Sequence, residues 1–173
     1  GFSIDKDAAF LIAMIGDGSF RDTHGALQKV LISAGDEKIT AAHVEKVTGS
    51  PRGHLVQELI RAIVAKDLEK ALLIVRTASQ DHLDMKFFIK LVLHELRMAL
   101  LSRFAPEIKK DLEADRSDDE LAFQKEIAPA VGDTIKSDLL KDLIDVYEAT
   151  DHSYIPELPL ELCLIKLLEK KQV

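Results

Sequence analysis

Along this chain, apolar residues recur at the three-to-four-residue spacing of a helix, and no stretch alternates apolar with polar as a half-buried strand does. The five prolines and eight glycines fall mainly between the periodic segments, where they punctuate helices instead of breaking them. The fold class read from this pattern is all-α. At 173 residues the chain is long enough for one ordinary domain, or two small ones, with a hydrophobic core. Tryptophan is absent and other aromatics are few, so aliphatic side chains must supply that core.

Start and stop signals divide the pattern. A first helix is predicted from about Asp5 to Ile15, with apolar residues at Ala9, Phe10, Ile12, Ala13 and Met14 and Gly16 as its stop. A second starts at Ser19 and reaches about Ala34. Gly35-Asp36-Glu37 then turns the chain into a short helix, capped by Thr40 and stopped by Gly49, which completes a three-helix unit. Ser50-Pro51-Arg52-Gly53 interrupts both flanking helices and is the predicted boundary between a small domain, 1–49, and a larger helical one, 50–173. Beyond it, helices are expected over His54 to Ala65, Asp67 to Ala78 and Asp84 to Phe104, with Asp67 and Asp84 as caps. Pro106 opens a short acidic helix, Ser117 and Glu120 form a capping box, and Pro129 with Gly132 ends that segment. The last two helices are read over Lys136 to Thr150 and Pro159 to Lys171. In the final one, Leu160, Leu164 and Leu167 make a stripe flanked by Leu162, Ile165 and Leu168, a spread that implies burial on more than one side. The stripe has two readings: internal core of the larger domain, or partial exposure to a neighbouring subunit. No repeat of fixed length is evident, which argues against a solenoid of helical pairs.

One motif is out of keeping with helix electrostatics. In Gly18-Ser19-Phe20-Arg21-Asp22, Ser19 and Asp22 have capping-box spacing, which puts Arg21 at the second position of the helix. The macrodipole is positive at that end, so an arginine there gains nothing from its own helix and suits an external anion or carboxylate. The plainer reading is a surface ion pair.

The Gly-Ser-x-Arg-Asp helix start resembles the sensor 2 motif in the lid of AAA+ ATPases. Three further segments follow in order. Lys38 to Gly49 is similar to the "Ile-Thr, then Val, then Gly" segment that closes the lid of bacterial clamp loaders. Asp67-Leu68-Glu69-Lys70-Ala71-Leu72 and the run Phe87 to Leu101, with Leu96-Arg97, resemble the next domain, and Leu158 to Leu167 resembles the final collar helix. The family so indicated is the gamma/tau subunit of bacterial DNA polymerase III, the ATPase motor of the sliding-clamp loader. The resemblance covers essentially the whole chain but only the lid and collar of that architecture. It departs after Asp22, where the family continues with Ala-Leu and a Leu-rich stretch ending in Asp-Gln. Here the residues are Thr23-His24-Gly25-Ala26-Leu27-Gln28-Lys29, and a glycine inside a helix costs about 1 kcal/mol relative to alanine.

The resemblance implies a mechanical role in DNA replication. Arg21 would reach the terminal phosphate of ATP held by an ATPase domain outside this chain. The collar would assemble the five-membered loader with its other subunits, leaving the sliding clamp and primed DNA to regions elsewhere. No cofactor is expected in this piece itself. It carries no Gly-x-x-x-x-Gly-Lys-Ser/Thr loop and no acidic pair after a strand, so no catalytic residue is assigned. One charge-assisted bond from Arg21 is worth about 1.5 to 3 kcal/mol, short of the roughly 4 kcal/mol of millimolar binding. The contact therefore suits coupling within a larger protein better than capture of free nucleotide.

Other chemistries are disfavoured. The formal charge of −7 argues against gripping a phosphate backbone. The six histidines form no close pair at metal-ligand spacing, and Cys163 is alone in a Leu-rich helix, where it reads as a buried small hydrophobe. The most apolar predicted helix, Phe87 to Leu101, is interrupted by Lys90, His94, Glu95 and Arg97, so no membrane span is expected. Nothing resembles a secretory signal, and a bacterial cytoplasmic protein is the expectation. The chain begins at Gly1 without an initiator methionine and enters a helix pattern at once, which reads as a piece of a longer protein. A competing function is a helical protein–protein adaptor with no nucleotide role, in which Arg21 is an ordinary surface ion pair.

Overall fold

A computed structural model of the chain describes residues 3–35, 38–49, 53–105, 107 and 116–169. Nine α-helices lie among them: α1 (Lys6–Gly16), α2 (Phe20–Ala34), α3 (Ala41–Thr48), α4 (Gly53–Ala65), α5 (Leu68–Gln80), α6 (Met85–Phe104), α7 (Asp118–Ile127), α8 (Ser137–Thr150) and α9 (Leu158–Leu168). Among the described residues, extended pairing is confined to two isolated bridges, Ile4 with Ile39 and Val131 with Ile135. The all-α expectation holds. Most of the linker at 50–52, the turn residues 36–37, the helix opened by Pro106 and the residues after 169 fall outside the described residues.

Caps account for most of the helix starts. Asp5, Asp67 and Asp84 each accept a bond from the backbone N–H three residues on, at 3.0 Å, which removes one unpaired donor of the first turn. Ser117 and Glu120 form both arms of their box, at 3.3 and 3.2 Å. At α3 the return arm comes from an unanticipated residue: His43 Nδ1 accepts from the Thr40 N–H at 3.3 Å. After α7, a 3₁₀ turn over Ala128–Ala130 leads to Gly132 in the left-handed region at φ 92°, where Pro129 and Gly132 end the segment as expected.

Helices α1, α2 and α3 pack on one another; α4 lies against α5, α6 and α7; α8 and α9 pair, with α8 on α6 and α9 on α5. With α1–α3 taken as a first helical group and α4–α9 as a second, the buried residues of both form one continuous core. Helix α4 is its axis, contributing Leu55, Val56, Leu59, Ile60 and Ile63, each worth about 1.5 to 3 kcal/mol of burial. Helix α6 is buried nearly all round, including Glu95. That charge is compensated by the buried Arg116, which reaches its carboxylate at 2.8 Å, and by Gln124 Nε2 at 2.6 Å, so α7 is tied to α6 by a polar network, although Gln124 Oε1 is left buried without a partner. Cys163 is buried against the core, where burial pushes its thiol up to about 11.

Candidate functional site

Arg21 stands at the second position of α2, as its spacing predicted, with its side chain 94% exposed. The turn before it determines where it points. Gly16 ends α1, Asp17 takes the left-handed conformation at φ 48°, and Gly18 follows at φ 80°. The Ser19 N–H donates to the Gly16 carbonyl at 2.7 Å, and Thr23 Oγ1 donates to the Ser19 carbonyl at 2.9 Å. Ser19 Oγ accepts from the Asp22 N–H at 3.2 Å.

This corrects the anticipated box at Ser19 and Asp22. Only the serine arm forms, because the Ser19 N–H is already committed to Gly16 and leaves the Asp22 carboxylate no donor to accept from there. Asp22 instead faces Arg21 at 3.8 Å, an exposed pair worth at most about 1 kcal/mol. Helix α2 runs unbroken through Gly25, burying Ala26, Val30 and Ala34 and exposing His24, whose ring stacks on Phe20. Within the departing segment His24 lies on the outer face and Gly25 beside it, whereas Ala26 is buried, and the helix start is intact. The result is a guanidinium on the positive end of a helix with solvent in front of it. Chemically it can receive an anion or a carboxylate, and it supplies no acid, base or nucleophile.

Of the two readings of the α9 stripe, internal core describes Leu160 and Leu164, each 1% exposed, while Leu167 is half-buried at the edge of the core. The outward apolar face of α9 is instead Leu158, Leu162 and Ile165. On one side it borders a shallow groove with Leu72, Leu73 and Arg76 of α5, and on the other a nearly apolar one with Val146 and Ala149 of α8. Leu73 continues the patch, 60% exposed. Sequence reading named Leu162 and Ile165 only as flanks of the stripe and missed Leu158 and Leu73 as surface residues.

A third feature is a cleft of about 510 Å³ between α1, α3, α4, α6 and α7. Its walls combine Phe10, Val56 and Phe123 with Asp7, Glu45, Asp119 and Glu120. Arg61 is held there by Glu126 at 2.7 and 2.9 Å and lies over the Phe123 ring, 5.0 Å from its centre. Burial, reinforced by Glu95 and Asp7 against Arg116, raises the Glu120 carboxyl above its ordinary range. So acidic a cleft is unsuited to a phosphate. Among the described residues no three His, Cys, Asp or Glu side chains gather as a metal-binding group, and no helix is long and apolar enough to cross a membrane.

The fold is an all-helical arrangement of the class found in a DNA clamp-loader component. One similar solved structure is that of the Bacillus subtilis DNA clamp loader delta protein (YqeN), at a TM-score of 0.58 and 19% sequence identity over 96% of this chain and 51% of that one. The chain thus spans about half the length of that protein. No family model and no curated protein matches.

Proposed function

We propose that this chain is the lid and collar of a gamma/tau-type subunit of a bacterial DNA polymerase III clamp loader, residues 1–49 forming the lid and 50–173 the collar. The fold likeness to a clamp-loader delta protein supports the assembly. The gamma/tau assignment is carried by Arg21, exposed at the second position of α2 behind a tightly bonded turn. In this reading Arg21 meets the terminal phosphate of ATP on an ATPase domain outside the chain, and its bond makes the lid position depend on that phosphate. The collar joins the other loader subunits through the face of α9 that carries Leu158, Leu162 and Ile165. The sliding clamp and primed DNA are handled by regions beyond this chain, in the bacterial cytoplasm.

The test is Arg21→Ala in the complete protein. Assembly should persist while ATP-dependent clamp opening falls about tenfold or more, the scale of a coupling free energy between sites. Normal opening would instead leave the helical adaptor, with Arg21 as a surface ion pair.

A further inference from the structure

Helix α1 has no basic residue in its last turn, so nothing of its own balances the negative end of its dipole. The missing cation comes from α6. Lys90 Nζ donates to the Met14 carbonyl at 2.9 Å, one of the last four carbonyls of α1 and hence without a partner inside that helix. The same ammonium pairs with the carboxylate of Asp17, the left-handed residue that ends α1. That bond holds the Asp17 carboxyl below its ordinary range. One turn further along α6, the His94 ring packs 4.8 Å from Phe10. Phe10 and Met14 lie one turn apart on α1, with Asp17 just beyond its end, and Lys90 and His94 lie one turn apart on α6, so side chains of the two helices meet in a short seam.

The grip falls on the turn that places Arg21. Asp17 is followed by Gly18 and the Ser19 cap, and Gly16 accepts from Ser19 while lying against Thr23 of α2. The Ser19–Gly16 bond and the Gly16–Thr23 contact thus tie the Asp17 turn to the start of α2.

We propose that Lys90 is a positioning residue that fastens the Arg21-bearing start of α2 to α6, so that an anion contact at Arg21 is transmitted to the second helical group through Asp17 and Met14. The coupling part rests on the nucleotide reading of Arg21; the fastening part does not.

The experiment is hydrogen exchange on the full-length subunit with and without ATPγS, for the parent protein, Lys90→Met, Asp17→Asn, Lys90→Arg and Arg21→Ala. Methionine keeps most of the apolar stem, and asparagine tolerates the left-handed backbone at position 17. In Lys90→Met and in Asp17→Asn, exchange at the amides of residues 16–22 should rise about tenfold, in keeping with a local opening made easier. The ATPγS-dependent change in exchange along α6 should disappear in both while nucleotide affinity moves by less than about threefold, and Lys90→Arg should retain both properties. Unchanged exchange at 16–22 in both substitutions would overturn the fastening. An α6 response that survives in Lys90→Met would overturn the transmission. If Arg21→Ala alters neither affinity nor response, the nucleotide reading fails, and the transmission with it; exchange at 16–22 still decides the fastening.

Discussion

A methyl group added to Gly16 would lie 1.8 Å from Thr23 Oγ1 and 2.9 Å from Thr23 Cα, whereas one added to Gly25 meets nothing within 4 Å. The two glycines stand nine positions apart at opposite poles of the same physics. At Gly16 the backbone of α2 crosses too near for any side chain, so Gly16→Ala is expected to destabilise by about 1 to 3 kcal/mol, the range for overpacking. At Gly25, in the middle of a helix with open space beside it, Gly25→Ala is expected to stabilise by about 0.5 to 1 kcal/mol by reducing the freedom of the unfolded chain. Denaturant midpoints of the two variants check both signs in one series. The sequence showed each glycine as a helix punctuator or a helix cost. It could not show that one of them is a close crossing, because the partner atom sits on another element. The same holds for Ser19, whose amide was free to complete a box until the Gly16 carbonyl claimed it.

At the scale of an element, α9 carries two apolar series with the same spacing: Leu160, Leu164 and Leu167 on one side, Leu158, Leu162 and Ile165 on the other. Periodicity finds both and ranks neither. The neighbours decide, since α5 and α8 cover the first series and leave the second outward. Truncating the buried side, Leu164→Ala, should cost about 2 to 5 kcal/mol. Charging the outer side, Leu162→Lys, should change stability by no more than about 0.5 kcal/mol. In the reconstituted loader, however, Leu162→Lys is expected to weaken subunit association while leaving the isolated fold unaltered. Thermal denaturation and sedimentation velocity on the same samples separate the two effects. Association unaffected by Leu162→Lys would remove α9 from the proposed interface.

At the scale of the molecule, the first three helices and the remaining six meet along one side at the Lys90 seam and on another at the acidic cleft. There Glu120 faces Asp7 of α1 and Glu95 of α6, with Arg116 as the compensating cation. A carboxyl raised on folding binds its proton more tightly in the native state. Its contribution is favourable below the ordinary carboxyl range and is lost as pH rises through the folded value. Glu120→Gln keeps the return arm to Ser117 and removes the desolvated charge. Its melting temperature should therefore exceed the parent's most at pH 7, with the gap closing toward about pH 4. A gap that widens on acidification would show that Arg116 dominates instead. What the sequence determined by itself was local: helix class, most starts and stops, and the second-position placement of Arg21, because caps and 3.6-residue periodicity act within a few residues of chain. Packing settled which apolar series of α9 faces inward, which arm of the Ser19 cap forms, and that Lys90 closes the end of α1. Each of these depends on an atom of another element, and no spacing within one element encodes what another element brings to it.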